Sequence, residues 1–151
     1  MARIRLVTSV PAPRERVFDL ARDLDFHQRS LGHTGERIVD GRRGGLIELG
    51  EEVEWEARHF GVRLRLRTRI VAMDRPSSFV DEQVRGPFVS MVHRHEFRES
   101  NGATEMIDDW THRAPLGPIT DLVLRGYMER LLRARNAALV AELSGGSIRP
   151  G

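Results

Sequence analysis

The chain contains no cysteine. Disulfides, thiolate nucleophiles and cysteine-ligated metals are therefore excluded. It contains no lysine either: all 24 basic residues are arginine, which excludes a lysine Schiff base. Aromatic residues make up only 6% of the chain, with two tryptophans. No apolar run approaches the ~18–20 residues needed to span a bilayer. The start, Met1-Ala2-Arg3-Ile4-Arg5, leads into no apolar signal core. A cytoplasmic protein without stable membrane insertion is the expectation. No Gly-x-Ser-x-Gly, phosphate-binding loop or dinucleotide glycine pattern occurs, and no cofactor is expected.

What is present fits one domain. The chain has 151 residues, 40% apolar and 30% charged, with a net charge of +2. Its high isoelectric point comes from arginine, which keeps its proton, and does not by itself indicate nucleic acid. Residues 1–143 are expected to form the domain, and 144–151 a disordered tail.

Arg3-Ile4-Arg5-Leu6-Val7-Thr8-Ser9-Val10 alternates charged and apolar residues and stops at Pro11-Ala12-Pro13, which reads as a first strand. Pro13 suits a helix start, and Asp23 or Asp25 can cap a second short helix through Phe26 to Leu31. A short strand is expected at Glu36–Asp40. In Glu52-Val53-Glu54-Trp55-Glu56-Ala57-Arg58-His59 every second residue is charged, and Val62 to Ile70 repeats the alternation with arginines. A two-residue turn at Phe60-Gly61 sets Glu56 opposite Arg65, Glu54 opposite Arg67 and Glu52 opposite Arg69. The arginine stripe is then a neutralised outer face rather than a track for an anionic polymer. Strands are expected over Phe79–Arg85, Phe88–Arg98 and Ala103–Arg113, the last two joined by Asn101-Gly102. From Ile119 to Leu143 the spacing is helical, with Ile119, Val123, Tyr127, Leu131, Ala134 and Ala138 on one side. Such a helix spans ~37 Å and must cross the whole domain. The fold class is α+β: a curved seven-stranded antiparallel sheet around a long C-terminal helix, with two short helices after strand one.

The later strands place polar residues on the inner face. Met91, His93, His95 and Phe97 share one face of their strand. If Phe79 and Trp110 also point inward, Asp81, Gln83 and Asp108 join the two histidines. Burying that many polar groups costs several kcal/mol unless each is satisfied. Three readings follow from the residues: a satisfied structural network, a cavity that orients a ligand's polar end, or a metal held by His93, His95 and Asp108. A lone His-x-His is a weak metal signal, and no metal is expected. A His–Asp pair would also serve general acid–base catalysis, with His93, His95 and Asp108 as candidates.

Several segments resemble the START-like (SRPBCC) superfamily, in its bacterial ligand-binding branch labelled polyketide cyclase/dehydrase-like or CoxG-like. They are Gly50-Glu51-Glu52-Val53-Glu54-Trp55-Glu56-Ala57-Arg58-His59-Phe60-Gly61, Phe79-Val80-Asp81-Glu82-Gln83-Val84-Arg85-Gly86-Pro87-Phe88, His93-Arg94-His95-Glu96-Phe97 and Pro115-Leu116-Gly117-Pro118. The resemblance covers roughly residues 3–143. It implies a helix-grip fold with an internal cavity between sheet and helix, and names no ligand.

The expected occupant is a hydrophobic or amphipathic small molecule, lipid- or polyketide-like. Its wall would be Phe18, Trp55, His59, Leu64, Leu66, Met91, Met106, Trp110, Val123 and Tyr127. Its polar end would meet Asp81, Gln83, His93, His95 and Asp108. The alternative is a cyclase, dehydratase or hydrolase using a His–Asp pair in the same cavity. Nucleic acid is not expected as a partner, and a homodimer stays open.

Overall fold

A computed structural model describes residues 1–148. Seven strands form one antiparallel sheet: β1 (Ala2–Val10), β2 (Arg37–Gly41), β3 (Glu52–His59), β4 (Val62–Asp74), β5 (Ser78–Arg85), β6 (Ser90–Ser100) and β7 (Ala103–Arg113). Two short helices, α1 (Arg14–Ala21) and α2 (Leu24–Ser30), follow β1, and α3 (Pro118–Ile148) ends the described chain. The sheet order is β1-β7-β6-β5-β4-β3-β2, so each strand from β2 to β7 lies beside its neighbour in sequence and β1 closes onto the last. This is the expected helix-grip arrangement.

Local chemistry accounts for the elements. Asp23 caps α2, its carboxylate accepting from the Asp25 and Phe26 amides. Phe60 and Gly61, both at positive φ, make the β3–β4 turn, and His59 pairs with Val62 as counted from the sequence. Gly41 ends β2 at φ +79°, and an added Cβ there would run into the Glu52 carbonyl. Gly41→Ala is expected to destabilise the fold by roughly 1–3 kcal/mol, read as a lowered urea midpoint. A wild-type midpoint would show that β2 can shift aside.

Register puts the charges of β3 and β4 on the outer face. Glu52 faces Arg69, Glu54 faces Arg67 and Glu56 faces Arg65. Arg65 Nε lies 2.9 Å from Glu56, Arg67 Nη1 2.8 Å from Asp40, Arg37 2.8 Å from Glu56 and Arg85 2.8 Å from Glu54. The arginines so cover the acids that Glu54 and Glu56 are buried. This face is neutralised, as the alternation predicted.

The inner face holds two packed clusters. One gathers Phe18, Phe79, Phe97, Met106 and Leu139 with the two short helices. Phe18 meets Phe79 and Phe97 edge-on at 5.5 and 5.4 Å. The other gathers Ile4, Leu6, Met91, Trp110 and Leu132.

α3 differs from expectation in two ways. It runs to Ile148, past the boundary set at Leu143, so the expected disordered tail is helical over 144–148. The remainder of that expected tail, 149–151, lies outside the described residues. Its inward face is also rotated: Ile119, Val123 and Ala134 are exposed, whereas Leu132, Arg135, Asn136, Leu139 and Leu143 are buried. The expected stripe was drawn through apolar residues alone. The true one passes through Arg135 and Asn136, polar side chains that find buried partners.

Candidate functional site

The concave side of the sheet and α3 do not close on each other. They leave a cavity of about 260 Å³, near the lower end of the ~300–1,000 Å³ usual for ligand pockets. Its apolar wall comes from Trp55, Leu64, Leu66, Ile70, Phe79, Met91, Trp110 and Leu132. Tyr127 and His59 close one side, with Tyr127 Oη 2.5 Å from His59 Nδ1.

The polar floor rises from β5, β6 and β7. Pairing sets Asp81 beside His93 and His95 beside Asp108. The two imidazoles stack with centroids 3.7 Å apart. His93 Nε2 donates to Asp108 Oδ1 at 2.7 Å, and His95 Nε2 lies 2.8 Å from Asp81 Oδ1. Behind them, Arg135 Nη2 donates to Asp108 Oδ1 at 2.7 Å and Asn136 Nδ2 to Asp108 Oδ2 at 2.8 Å. Asn136 Nδ2 also reaches Thr8 Oγ1 at 3.1 Å.

Burial sets the protonation states. It pushes His95 down to about 3, and the Arg135 charge adds to the effect. It lowers His93 too, with His95 contributing, against the pull of Asp108. Burial alone would raise Asp108, but Arg135 and the His93 N–H hold its carboxyl well below the usual range. Asp81 has no such clamp, and burial raises it. Both imidazoles are therefore neutral at pH 7. His95 Nδ1 is a buried atom without a hydrogen-bond partner, 3.6 Å from Asp108 Oδ1.

The sequence-predicted residues separate into groups. Trp55, His59, Leu64, Leu66, Asp81, Met91, His93, His95, Trp110 and Tyr127 line the cavity. Five others do not. Phe18 and Met106 are spent inside the packed aromatic cluster. Gln83 turns back, donating to the Phe88 carbonyl at 2.8 Å and so bracing the β5–β6 turn. Asp108 is fully buried behind His93, where it neutralises Arg135. Val123 points to solvent for the reason given for α3.

Sequence reading missed His27, Glu36 and Arg135, all of which line the cavity. His27 and Glu36 fall in segments without periodicity, so nothing marked their direction. Arg135 follows Arg130 and Arg133 on the same helix, and nothing local sets it apart from those outward arginines.

Among the described residues, Asp81, His93 and His95 are the trio of ligating side chains close enough to share an ion, their ligand atoms lying within 4.8 Å of one another. His93 already bonds Asp108, and His95 bonds Asp81, itself one of the three. The arrangement can do two things: solvate the polar group of a ligand, or move a proton along Asp81, His95 and Asp108.

Among solved structures, the chain resembles the Zhui aromatase/cyclase from Streptomyces sp. R1128, with a TM-score of 0.73 at 17% identity over 95% of this chain and 93% of that one. It also resembles TTHA0849 from Thermus thermophilus, with a TM-score of 0.70 at 18% identity over 93% and 99%. Ginseng major latex-like protein 151 from Panax ginseng gives 0.66 at 16% over 93% and 96%. At these identities the likeness is one of fold. Comparison with curated proteins returns no sequence match. The sequence profile described as polyketide cyclase / dehydrase and lipid transport matches residues 1–144, nearly the whole chain and every element that builds the cavity, and the protein belongs to that family.

Proposed function

We propose that the protein binds a hydrophobic or amphipathic small molecule between the sheet and α3. The observation that carries this reading is an unfilled space of about 260 Å³ bordered by polar groups that burial has stripped of charge. Interiors are otherwise close-packed, and a space kept open beside neutral imidazoles suits an apolar body with one polar end. Trp55, Leu64, Leu66, Met91 and Trp110 would hold the body. His95 and Asp81 would orient the polar group. The arginines of the outer face are matched by glutamates, which argues against nucleic acid. Among the described residues no helix is long and apolar enough to cross a membrane. The setting proposed for this binding role is the cytoplasm.

Native mass spectrometry of the protein as purified from cells is expected to reveal a bound small molecule. Ala57 lines the cavity with only a methyl group. Ala57→Phe is therefore expected to weaken binding of a hydrophobic dye such as 1-anilinonaphthalene-8-sulfonate at least tenfold, or about 1.4 kcal/mol, with cooperative unfolding retained. Undiminished dye binding would remove the cavity from consideration.

A second reading, a cyclase or dehydratase, draws on His95 alone. Its ring stands between the raised carboxyl of Asp81 and the ionised Asp108. A proton on Asp81 and one on His95 Nδ1 would satisfy the orphaned nitrogen, a pairing suited to acid–base chemistry. Turnover unchanged in both His95→Phe and Asp81→Asn would clear this pair.

A further inference from the structure

The cavity has a second polar place, away from the histidine floor. Glu36 lines it just before β2, its side chain only 10% exposed. Among the described residues its carboxyl accepts no hydrogen bond. Its one ion-pair contact among the described residues is with His27 Nε2 of α2, at 3.9 Å. A carboxyl on a side chain nine-tenths buried, with no donor bonded to it, has given up much of its hydration without replacement.

The charges around it are already committed. Arg135 of α3 serves Asp108 and Asn136. Arg22 reaches Asp19 at 2.9 Å and also pairs with Glu48. Arg65 is held by Glu56. His27 is neutral, pushed down to about 3 chiefly by burial, with the Arg135 charge adding to the effect. Of the three guanidinium groups that line the cavity, Arg22 and Arg65 pair with acids elsewhere and Arg135 with Asp108, so no described arginine of the lining pairs with Glu36. Aromatic faces flank the same place. His27 lies tilted against Trp55 with centroids 5.0 Å apart, and Tyr127 also lines the cavity.

We propose that the ligand carries a basic nitrogen, and that its ammonium pairs with the Glu36 carboxylate beside the His27–Trp55 pair. The inference rests on the cavity being a ligand site, as proposed above. A cation there would give the lone carboxyl its partner and gain from the aromatic faces. Burial pushes Glu36 up to about 7 against the pull of Arg135, so it is ready to ionise when a cation arrives.

Three probes on one skeleton test this: 1-naphthylmethylamine, 1-naphthalenemethanol and 1-naphthoic acid, titrated calorimetrically into the full chain at pH 6, 7 and 8. The amine is expected to bind about tenfold tighter than the alcohol at pH 8, with the acid weakest. That ratio should shrink toward pH 6 as Glu36 takes up a proton, while His27 and His95 stay neutral. Glu36→Gln should bring the ratio near one. A ratio near one in the unmodified protein at pH 8, or an amine preference that survives Glu36→Gln, overturns the proposal. Alcohol binding without amine preference sinks the basic nitrogen alone. Silence from all three probes sinks the cavity reading with it.

Discussion

Arg135→Met is expected to cost the fold about 3–5 kcal/mol, the usual penalty for removing one partner of a buried ion pair. The reasoning lies in the charges at Asp108. Its side chain has no solvent exposure, and Arg135 is the one full positive charge on it, at 2.7 Å. His93 and Asn136 also donate to it, but as neutral groups. Without the guanidinium the carboxylate must either stay charged in a dry interior or take a proton and lose the His93 and Asn136 bonds. Urea denaturation followed by tryptophan emission would measure the loss, and a Tm lowered on the order of 10 °C should accompany it. Replacing both Arg135 and Asp108 with apolar residues should recover part of the stability, because the stranded charge is then absent. A single-variant cost below about 1 kcal/mol would mean that water reaches Asp108, and that α3 is held by apolar contacts.

Stability is also expected to fall as the pH drops below about 6.5. His95 and His27 titrate at about 3 in the folded chain because burial disfavours their charged forms. In the unfolded chain they titrate near 6.5. Between those values the unfolded state binds protons that the folded state refuses, so acid favours unfolding. Every tenfold weakening of proton binding on folding is worth about 1.4 kcal/mol, which puts the two histidines together at several kcal/mol. His27 keeps 24% of its side chain exposed and His95 only 3%, so water softens the share of His27. Glu36 works the other way. Its folded value of about 7 lies above the unfolded 4.5, so it favours folding as pH falls from 7 to 4.5 and offsets about one histidine. Below pH 4.5 that offset is exhausted. The outer acids Glu52, Glu54 and Glu56, lowered by their arginine hydrogen bonds, then begin to lose their contribution as well. The curve should be shallow from pH 6.5 to 4.5 and steep below. His95→Phe should flatten the upper segment. Equal urea midpoints at pH 7 and pH 5 in the unmodified protein would contradict this account.

The fold was legible because the strands carry period-two charge and the turns carry their own chemistry. Phe60-Gly61 set one register by counting, and the observed pairing follows it, while Asn101-Gly102 marked the turn between β6 and β7. The site was legible where it sits on those strands: Trp55, Leu64, Leu66, Met91, His93, His95 and Trp110 all line the space beneath α3. It was not legible where direction depends on packing between distant elements. Alternation put Asp108 on the same face as Trp110 without saying which way that face points, and only the position of Arg135 makes it a structural anion. On α3, apolar spacing chose Val123, because nothing local says that an arginine and an asparagine will face inward. Gln83 faced the right way in sequence and was captured by the backbone of a nearby turn. Glu36 and His27 lie where the chain has no period to read.

The joint around Asp108 ties together three stretches that are far apart in the chain. Thr8 belongs to β1, Asp108 to β7, and Arg135 with Asn136 to α3. These four positions are expected to change together, since losing Arg135 or Asp108 alone strands a charge and losing Thr8 or Asn136 removes a bond from the same joint. A chimaera that borrows the terminal helix of a relative will assemble well only if the matching residues on both edge-paired strands are borrowed with it.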